Sequence, residues 1–360
     1  MTALDPAGGA LESAELDSAE LAAALIDPVR LGAWMDASGL PGAGSPVTYE
    51  MISGGNQNSI FSVRRGSYHG ILRRPPRIVP AGRNKSMARE YRVLAALRGS
   101  DVPHPDVHAL CTDHSVLGAT FYLMDPVDGW SLLVNASWPP PYDSDLALRR
   151  DAAFALVGGI AALSNVDWRS RGLDGFGKPD NFHDRQVDRW YAFLEGARTR
   201  EIPGLDEAGS WLRSHRPASW RPGIMHGDYH FPNVLFARDL PVRLAAIVDW
   251  EMATIGDPML DLSQILMNWP DPGEDPKAGM FDLTGMPSRA ELVAHYERVS
   301  GRPVRDLDYY LILNRFKMAI VLERGYYRYL QGETDNPKAA MYGDLVLDAA
   351  AKAGELAARV

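Results

Sequence analysis

The sequence predicts an α+β fold in two lobes, the first rich in β-structure and the second mainly helical. Three observations carry that expectation. Between Met51 and Leu72, short apolar and β-branched pieces are separated by Gly54-Gly55-Asn56 and Arg65-Gly66-Ser67, the punctuation of an antiparallel meander. From Leu146 onward most segments show apolar residues at helical spacing. A chain of 360 residues, 46% hydrophobic and 23% charged, is long enough for about two units that each bury a core.

Each element follows in order. Residues 1–27 read as a mobile acidic tail, because Leu4 to Leu25 is interrupted by Asp5, Glu12, Glu15, Asp17 and Glu20. No basic residue precedes Arg30, so the charged start of a secretory signal is missing. Pro28 to Ala37 is a short helix, with Pro28 in its first turn, Leu31, Trp34 and Met35 on one face, and Gly39 and Pro41 as its stop. Strands are expected at Met51 to Ile52, Ile60 to Val63 and His69 to Leu72. Met87, Tyr91, Leu94 and Leu97 then form a helical stripe over Ser86 to Leu97, with Glu90 on or beside it. Two more strands, Val107 to Leu110 and Thr120 to Met124, lead to Val127-Asp128-Gly129, a connector between a lobe of residues 28–126 and one of residues 127–360. In the second lobe Leu146 to Leu163, Asp184 to Glu195, Leu205 to His215, Arg289 to Ser300 and Asp306 to Leu330 have helical spacing, interrupted by strand-rich Ile224 to Trp250.

Composition excludes several classes of function. The net charge of -9, with no basic run, argues against a nucleic-acid partner. Cys111 is the single cysteine, so there is no disulfide framework and no CxxC metal site, and the expected compartment is the cytoplasm. Ala152 to Leu163, the longest uncharged apolar run, falls short of the roughly 18 residues a bilayer requires, so no membrane association is expected. Nothing in the sequence speaks to oligomeric state.

The densest polar cluster is His226-Gly227-Asp228-Tyr229-His230-Phe231-Pro232-Asn233, followed by Val234-Leu235-Phe236 and, after a turn, Ala245-Ala246-Ile247-Val248-Asp249-Trp250-Glu251. If the two apolar strands pair as a hairpin, they deliver Asp228, Asn233 and Asp249 near one another. Two carboxylates and a carboxamide are hard oxygen donors that suit Mg²⁺ better than zinc. Phosphoryl transfer is the reaction that uses such a set: one carboxylate orients or deprotonates the acceptor hydroxyl, while an Asn and a second Asp hold the metal. His226-x-Asp228-x-His230 also leaves open a metal-dependent hydrolase with His and Asp ligands.

This spelling resembles the aminoglycoside phosphotransferase and choline kinase-like family. The resemblance continues through Gly256-Asp257-Pro258-Met259-Leu260-Asp261-Leu262, Gly54-Gly55-Asn56-Gln57-Asn58, Leu72-Arg73-Arg74-Pro75-Pro76, Arg89-Glu90-Tyr91 and Phe121-Tyr122-Leu123-Met124. The Leu-Arg-Arg-Pro-Pro string, with Gly172-Leu173, Gly177, Arg185-Gln186 and Trp190, is most similar to the branch that includes kinase domains fused to acyl-CoA dehydrogenases. The resemblance implies a protein kinase-like bilobal fold, with residues 28–126 as a nucleotide-binding lobe and residues 127–360 as a catalytic and substrate-binding lobe. It implies ATP or GTP and Mg²⁺ as cofactors and a hydroxylated small molecule as acceptor. Asp228 is then the catalytic base, His226 the brace of its loop, and Asn233 and Asp249 the metal ligands. Asp261 holds the loop's backbone from the following helix. Gly55, Asn56, Gln57 and Asn58 offer backbone amides to the phosphates, and Met124 lies where an adenine edge would meet the strand. The family's phosphate-binding lysine falls at Arg73, paired with Glu90; an arginine there is longer and planar, so the exchange is not geometrically neutral. The branch favours a hydroxyacyl thioester or another hydroxylated metabolite as acceptor; an aminoglycoside O-phosphotransferase and a catalytically silent nucleotide-binding module are the alternatives.

Overall fold

The computed structural model describes residues 18–54, 58–270, 272–334 and 337–360. Their contacts divide the chain into two compact units, Met1–Tyr91 with Val107–Pro126, and Arg92–Asp106 with Val127–Val360.

In the first unit, helices α1 (Ser18–Leu25) and α2 (Pro28–Ala37) precede strands β1 (Thr48–Gly54), β2 (Ser59–Arg65) and β3 (Tyr68–Arg74). Then come α3 (Arg83–Leu97), β4 (Val107–Cys111), the single turn α4 (His114–Leu117) and β5 (Phe121–Met124). The strands form an antiparallel sheet in the order β1-β2-β3-β5-β4, so β3 is central and flanked on both sides. Alternation along β2 and β3 buries Phe61, Val63 and Leu72 against Leu31 and Met35 of α2 and Phe121 and Leu123 of β5. Asp27 caps α2 by accepting from the amides of Val29 and Arg30, with Pro28 just inside the first turn.

The expectation of a mobile tail over residues 1–27 needs correction in its second half. Residues 18–25 are the helix α1, and Ala22, Leu25 and Ile26 are buried in the same core as Leu31 and Met35. The acidic residues that suggested a solvated tail lie before it or on its exposed face, as Glu20 does. Burial of Leu25 and Ile26 contributes roughly 1.5–3 kcal/mol each, enough to hold the helix against its ordering entropy. The guanidinium of Arg74, buried in β3, donates to the Leu25 carbonyl and so closes the end of α1.

In the second unit, α5 (Leu146–Ser164), α6 (Gln186–Glu195) and α7 (Leu205–Ser214) lead to short strands β6 (Gly223–Met225), β7 (Val234–Phe236), β8 (Leu244–Ile247) and β9 (Thr254–Gly256). Helices α8 (Met259–Leu266), α9 (Arg289–Ser300), α10 (Leu307–Leu330) and α11 (Tyr342–Arg359) follow. Two small antiparallel ladders organise the strands, β6 with β9 and β7 with β8. Immediately after the connector, Trp130 exchanges backbone hydrogen bonds with Phe236. A side chain at Gly129 would meet the Phe236 carbonyl at 2.8 Å, so this approach requires glycine. No helix among the described residues is long and apolar enough to cross a membrane.

Candidate active site

The site is built on the two small ladders. β6 runs directly into His226 and Gly227, and Gly227 takes φ +86, a conformation that glycine adopts without strain. A Cβ there would lie 2.6 Å from the Met252 carbonyl, a second reason for glycine. Tyr229 is wholly buried, and its hydroxyl donates to the Leu156 carbonyl of α5 at 2.9 Å. Phe231, also buried, begins a short turn that ends at Asn233. From there β7 pairs with β8, and the Val248 amide donates to the Asn233 carbonyl at 2.9 Å. Asn233 and Asp249 thus stand at the same end of one hairpin. Asp249 has φ +66, a left-handed conformation that Asp tolerates better than bulkier residues.

His226 ties these pieces together. Its Nε2 donates to the Val248 carbonyl at 2.9 Å and its Nδ1 accepts from the Asp228 amide at 3.4 Å, which defines a neutral ring carrying its proton on Nε2. Burial lowers its pKa, in keeping with that state. With both nitrogens engaged in backbone hydrogen bonds, His226 is not available as a metal ligand. Among the described residues no group of three His, Cys, Asp or Glu side chains is placed to hold a metal, so the zinc-type hydrolase lacks a ligand set.

Both oxygens of the Asp228 carboxylate are held. Gln264 Nε2 donates to Oδ1 at 2.8 Å, while Asn233 Nδ2 reaches Oδ2 at 3.1 Å and His230 Nε2 lies 3.3 Å from the same oxygen. Burial alone would push this carboxyl up; the His230 hydrogen bond and charge, followed by the Gln264 bond, outweigh it and hold the group well below the usual carboxylate range. Asn233 Nδ2 also donates to the Asp228 carbonyl at 2.8 Å, which fixes the amide's orientation and leaves its oxygen as the acceptor end. The Asn233 oxygen and the Asp249 carboxylate, at the same end of the β7–β8 hairpin, are hard oxygen donors of the kind that a cation such as Mg²⁺ takes. Asp261 of α8 is buried and accepts from the His226 amide at 2.7 Å and the Gly227 amide at 2.9 Å. Burial raises its pKa to about 6, against the lowering effect of those two amides and of Lys317.

Asp228 also lines a half-open cavity of about 300 Å³ within this unit, walled largely by apolar side chains including Phe231, Ile265, Trp269, Phe281, Met318 and Val321. Gln264 and Lys317 are among the polar residues on its wall that sequence reasoning missed. Gln264 stands three residues beyond Asp261 on α8, one turn away on nearly the same helix face, a spacing that could have revealed it. Lys317 projects from α10, and its Nζ donates to the Gly227 carbonyl at 3.2 Å. Burial lowers the pKa of this ammonium, with Asp261 and Asp228 acting in the opposite direction. The only hint of it in the sequence is a lone lysine within an apolar helical stretch.

The remaining candidate site residues belong to the first unit. Arg73 of β3 is buried, and its Nε donates to Glu90 Oε2 at 2.9 Å; Glu90, on α3, is 1% exposed. Met124 ends β5, opposite Ile71 of β3 and Val107 of β4. Asn58 directly precedes β2, whereas Gly55, Asn56 and Gln57 lie outside the described residues.

An antiparallel sheet and a largely helical unit, with Asp228 and Asn233 hydrogen-bonded beside a braced histidine and Asp249 at the end of the same hairpin, make up the arrangement. The model of the phosphotransferase enzyme family matches residues 48–302, and the chain belongs to that family. It is 30% identical over 323 residues to acyl-CoA dehydrogenase family member 11 of Gallus gallus, an alignment covering 87% of this chain and 41% of that protein. The chain therefore spans about two-fifths of that curated relative's length. A crystallised candidate aminoglycoside phosphotransferase from Ralstonia eutropha superposes with a TM-score of 0.81 at 32% identity, over 92% of this chain and 98% of the other. A thermostable aminoglycoside phosphotransferase, APH(4)-Ia, in ternary complex with ADP and hygromycin B, shares the fold alone, with a TM-score of 0.55 and 16% identity over 89% of this chain and 97% of the other. The fold is the kinase-like α+β fold of these neighbours, and the family is one of phosphotransferase enzymes.

Proposed function

We propose that this enzyme transfers the γ-phosphoryl group of ATP or GTP, with Mg²⁺, to the hydroxyl of an acceptor with a substantial apolar portion, a hydroxyacyl thioester or similar metabolite rather than an aminoglycoside. The carrying observation is the Asp228 carboxylate, fixed by Gln264, Asn233 and His230, on the wall of a mainly apolar cavity. A polycationic antibiotic calls for a wall rich in carboxylates. Here Asp228 is the one acid on the described wall, and Lys317 adds a cation. The name of the Gallus gallus relative adds support, since an acyl-CoA dehydrogenase acts on acyl thioesters.

In this reading Asp228 receives the acceptor hydroxyl and orients it toward the phosphorus, accepting its proton as the bond forms. Asn233 and Asp249 hold Mg²⁺, which when bound neutralises charge on the phosphate oxygens. His226, Asp261 and Lys317 keep the loop in place, so that most of the catalysis is positioning. Arg73, supported by Glu90, clamps phosphate; the Gly55–Asn58 segment offers backbone amides, and the backbone at Met124, the last residue of β5, meets the base. An intact Asp228, Asn233 and Asp249 speaks against a silent module.

The test is ADP release from Mg·ATP across hydroxyacyl-CoA thioesters of graded chain length and a set of aminoglycosides. Turnover is expected with the thioesters and not with the antibiotics, and Asp228→Asn should lower kcat by about 10²-fold or more while nucleotide binding persists. An Asn variant working at the wild-type rate, or turnover confined to aminoglycosides, overturns the reading.

A further inference from the structure

We propose that Tyr122 is a positioning residue for the nucleotide clamp: its hydroxyl shares the Glu90 carboxylate with Arg73, and this third member lets an arginine serve where the family has a lysine. The inference rests on the reading of Arg73 as a phosphate-binding residue.

Arg73 and Tyr122 are direct cross-strand partners in the β3–β5 ladder, so their side chains leave the same face of the sheet. That face meets α3, where Glu90 receives both. Arg73 Nε lies 2.9 Å and the Tyr122 hydroxyl 3.0 Å from the same oxygen, Oε2. All three residues are buried, at 8%, 2% and 1% exposed for Arg73, Tyr122 and Glu90. Tyr91, next to Glu90 on α3, meets the Tyr122 ring edge to face at 6.2 Å between centroids and limits its tilt.

The physical need arises from the arginine. A lysine ammonium is a compact charge that donates in any of several directions, so it tolerates small displacements of its carboxylate partner. A guanidinium donates in fixed directions within one plane. If Glu90 rotates, the whole fork turns with it, and the phosphate contacts made by its far end are lost. Two donors on one carboxylate oxygen remove that freedom, and Tyr122 supplies the second from the strand that already pairs with β3. Phenylalanine at position 122 would fill the same space without holding the carboxylate.

The experiment measures Mg·ATP affinity by calorimetry for the full chain, Tyr122→Phe, Arg73→Lys and the double variant, a double-mutant cycle on one ligand. Tyr122→Phe is expected to weaken Mg·ATP binding about tenfold in the Arg73 protein and less than about twofold in the Arg73→Lys background. A fluorotyrosine at position 122, which retains the hydroxyl, is expected to bind as the wild type does, and it serves as the second variant should Tyr122→Phe fold poorly. Equal losses in both backgrounds, no loss in either, or a fluorotyrosine protein as weak as Tyr122→Phe would overturn the role of Tyr122. A wild-type chain that binds neither Mg·ATP nor Mg·GTP overturns the nucleotide reading itself and this inference with it.

Discussion

Asp261 takes no part in the chemistry proposed for the site, yet its two acceptor bonds to the amides of His226 and Gly227 set the height of the loop that carries Asp228. Its titration gives this role a measurable signature. The folded carboxyl keeps its proton up to about 6, whereas the ordinary value is 3.8, so between these values the native state binds more protons than the unfolded chain. The stability linked to this group is therefore fullest below about pH 4 and lost as the pH rises through about 6, a difference of about 3 kcal/mol. Asp261→Asn abolishes that slope and leaves one of the two amides facing an NH₂ group, at a cost of about 1–3 kcal/mol. Denaturant unfolding at pH 4 and pH 7 checks it. The wild type should lose more stability than the variant between the two conditions, and parallel losses would show that Asp261 is not the group responsible.

At the scale of elements, α5 shows how a helix is shaped by what it must accept. Gly158 and Gly159 lie side by side in its interior, where each costs helix stability relative to alanine. A Cβ on Gly159 would come within 2.4 Å of the Tyr229 hydroxyl and 2.6 Å of Leu244, while one on Gly158 meets nothing within 4 Å. Gly158→Ala should therefore raise stability by about 0.5–1 kcal/mol, and Gly159→Ala should lower it by about 1–3 kcal/mol. Urea melts of the two variants test this; a stabilised Gly159→Ala would mean that the Tyr229 contact yields freely. The same principle separates the elements legible in the sequence from those that were not. Pro28–Ala37 and Arg289–Ser300 carry their own caps and periodicity, and both occur at the expected bounds. The hairpin β7–β8 was legible because its apolar strands flank a turn. β9 is three residues long and exists through pairing with β6, some thirty residues earlier, so no local pattern marks it. α11 buries Ala349, Ala350 and Ala353, side chains too small to form a strong apolar stripe. Within the site, the spelling pointed to His226, Asp228 and Asn233, which share hydrogen bonds around one loop. Gln264 and Lys317 were hidden because their meaning depends on α8 and α10 packing beside that loop, which spacing along the chain does not encode.

Across the whole molecule, Ala22, Leu25 and Ile26, ahead of α2, belong to the core of the β-rich unit. Deleting residues 1–26 would uncover Leu31 and Met35 and take from Arg74 the Leu25 carbonyl it holds. The loss should be about 3 kcal/mol or more, and amide exchange followed by mass spectrometry should report it as about 10²-fold faster exchange in β2 and β3, with α8 to α10 unchanged. Unaltered protection in the sheet would show that α1 is dispensable. α10 imposes a different order on the helical unit. Its successive turns hold Asp257 through the Tyr310 hydroxyl, α8 through Asn314, the Gly227 carbonyl through Lys317, and the Thr199–Arg200 segment through Glu323. Met318, Val321 and Leu322, interleaved with those anchors, face the cavity. A helix so heavily committed is a poor place for evolutionary experiment, because a residue exchanged to suit a new acceptor sits beside one that keeps the reactive loop in register. Innovation in acceptor choice would fall instead to Val134, Met280, Phe281 and Leu283, on stretches outside the helices, where a wall can be redrawn without loosening the machinery behind it.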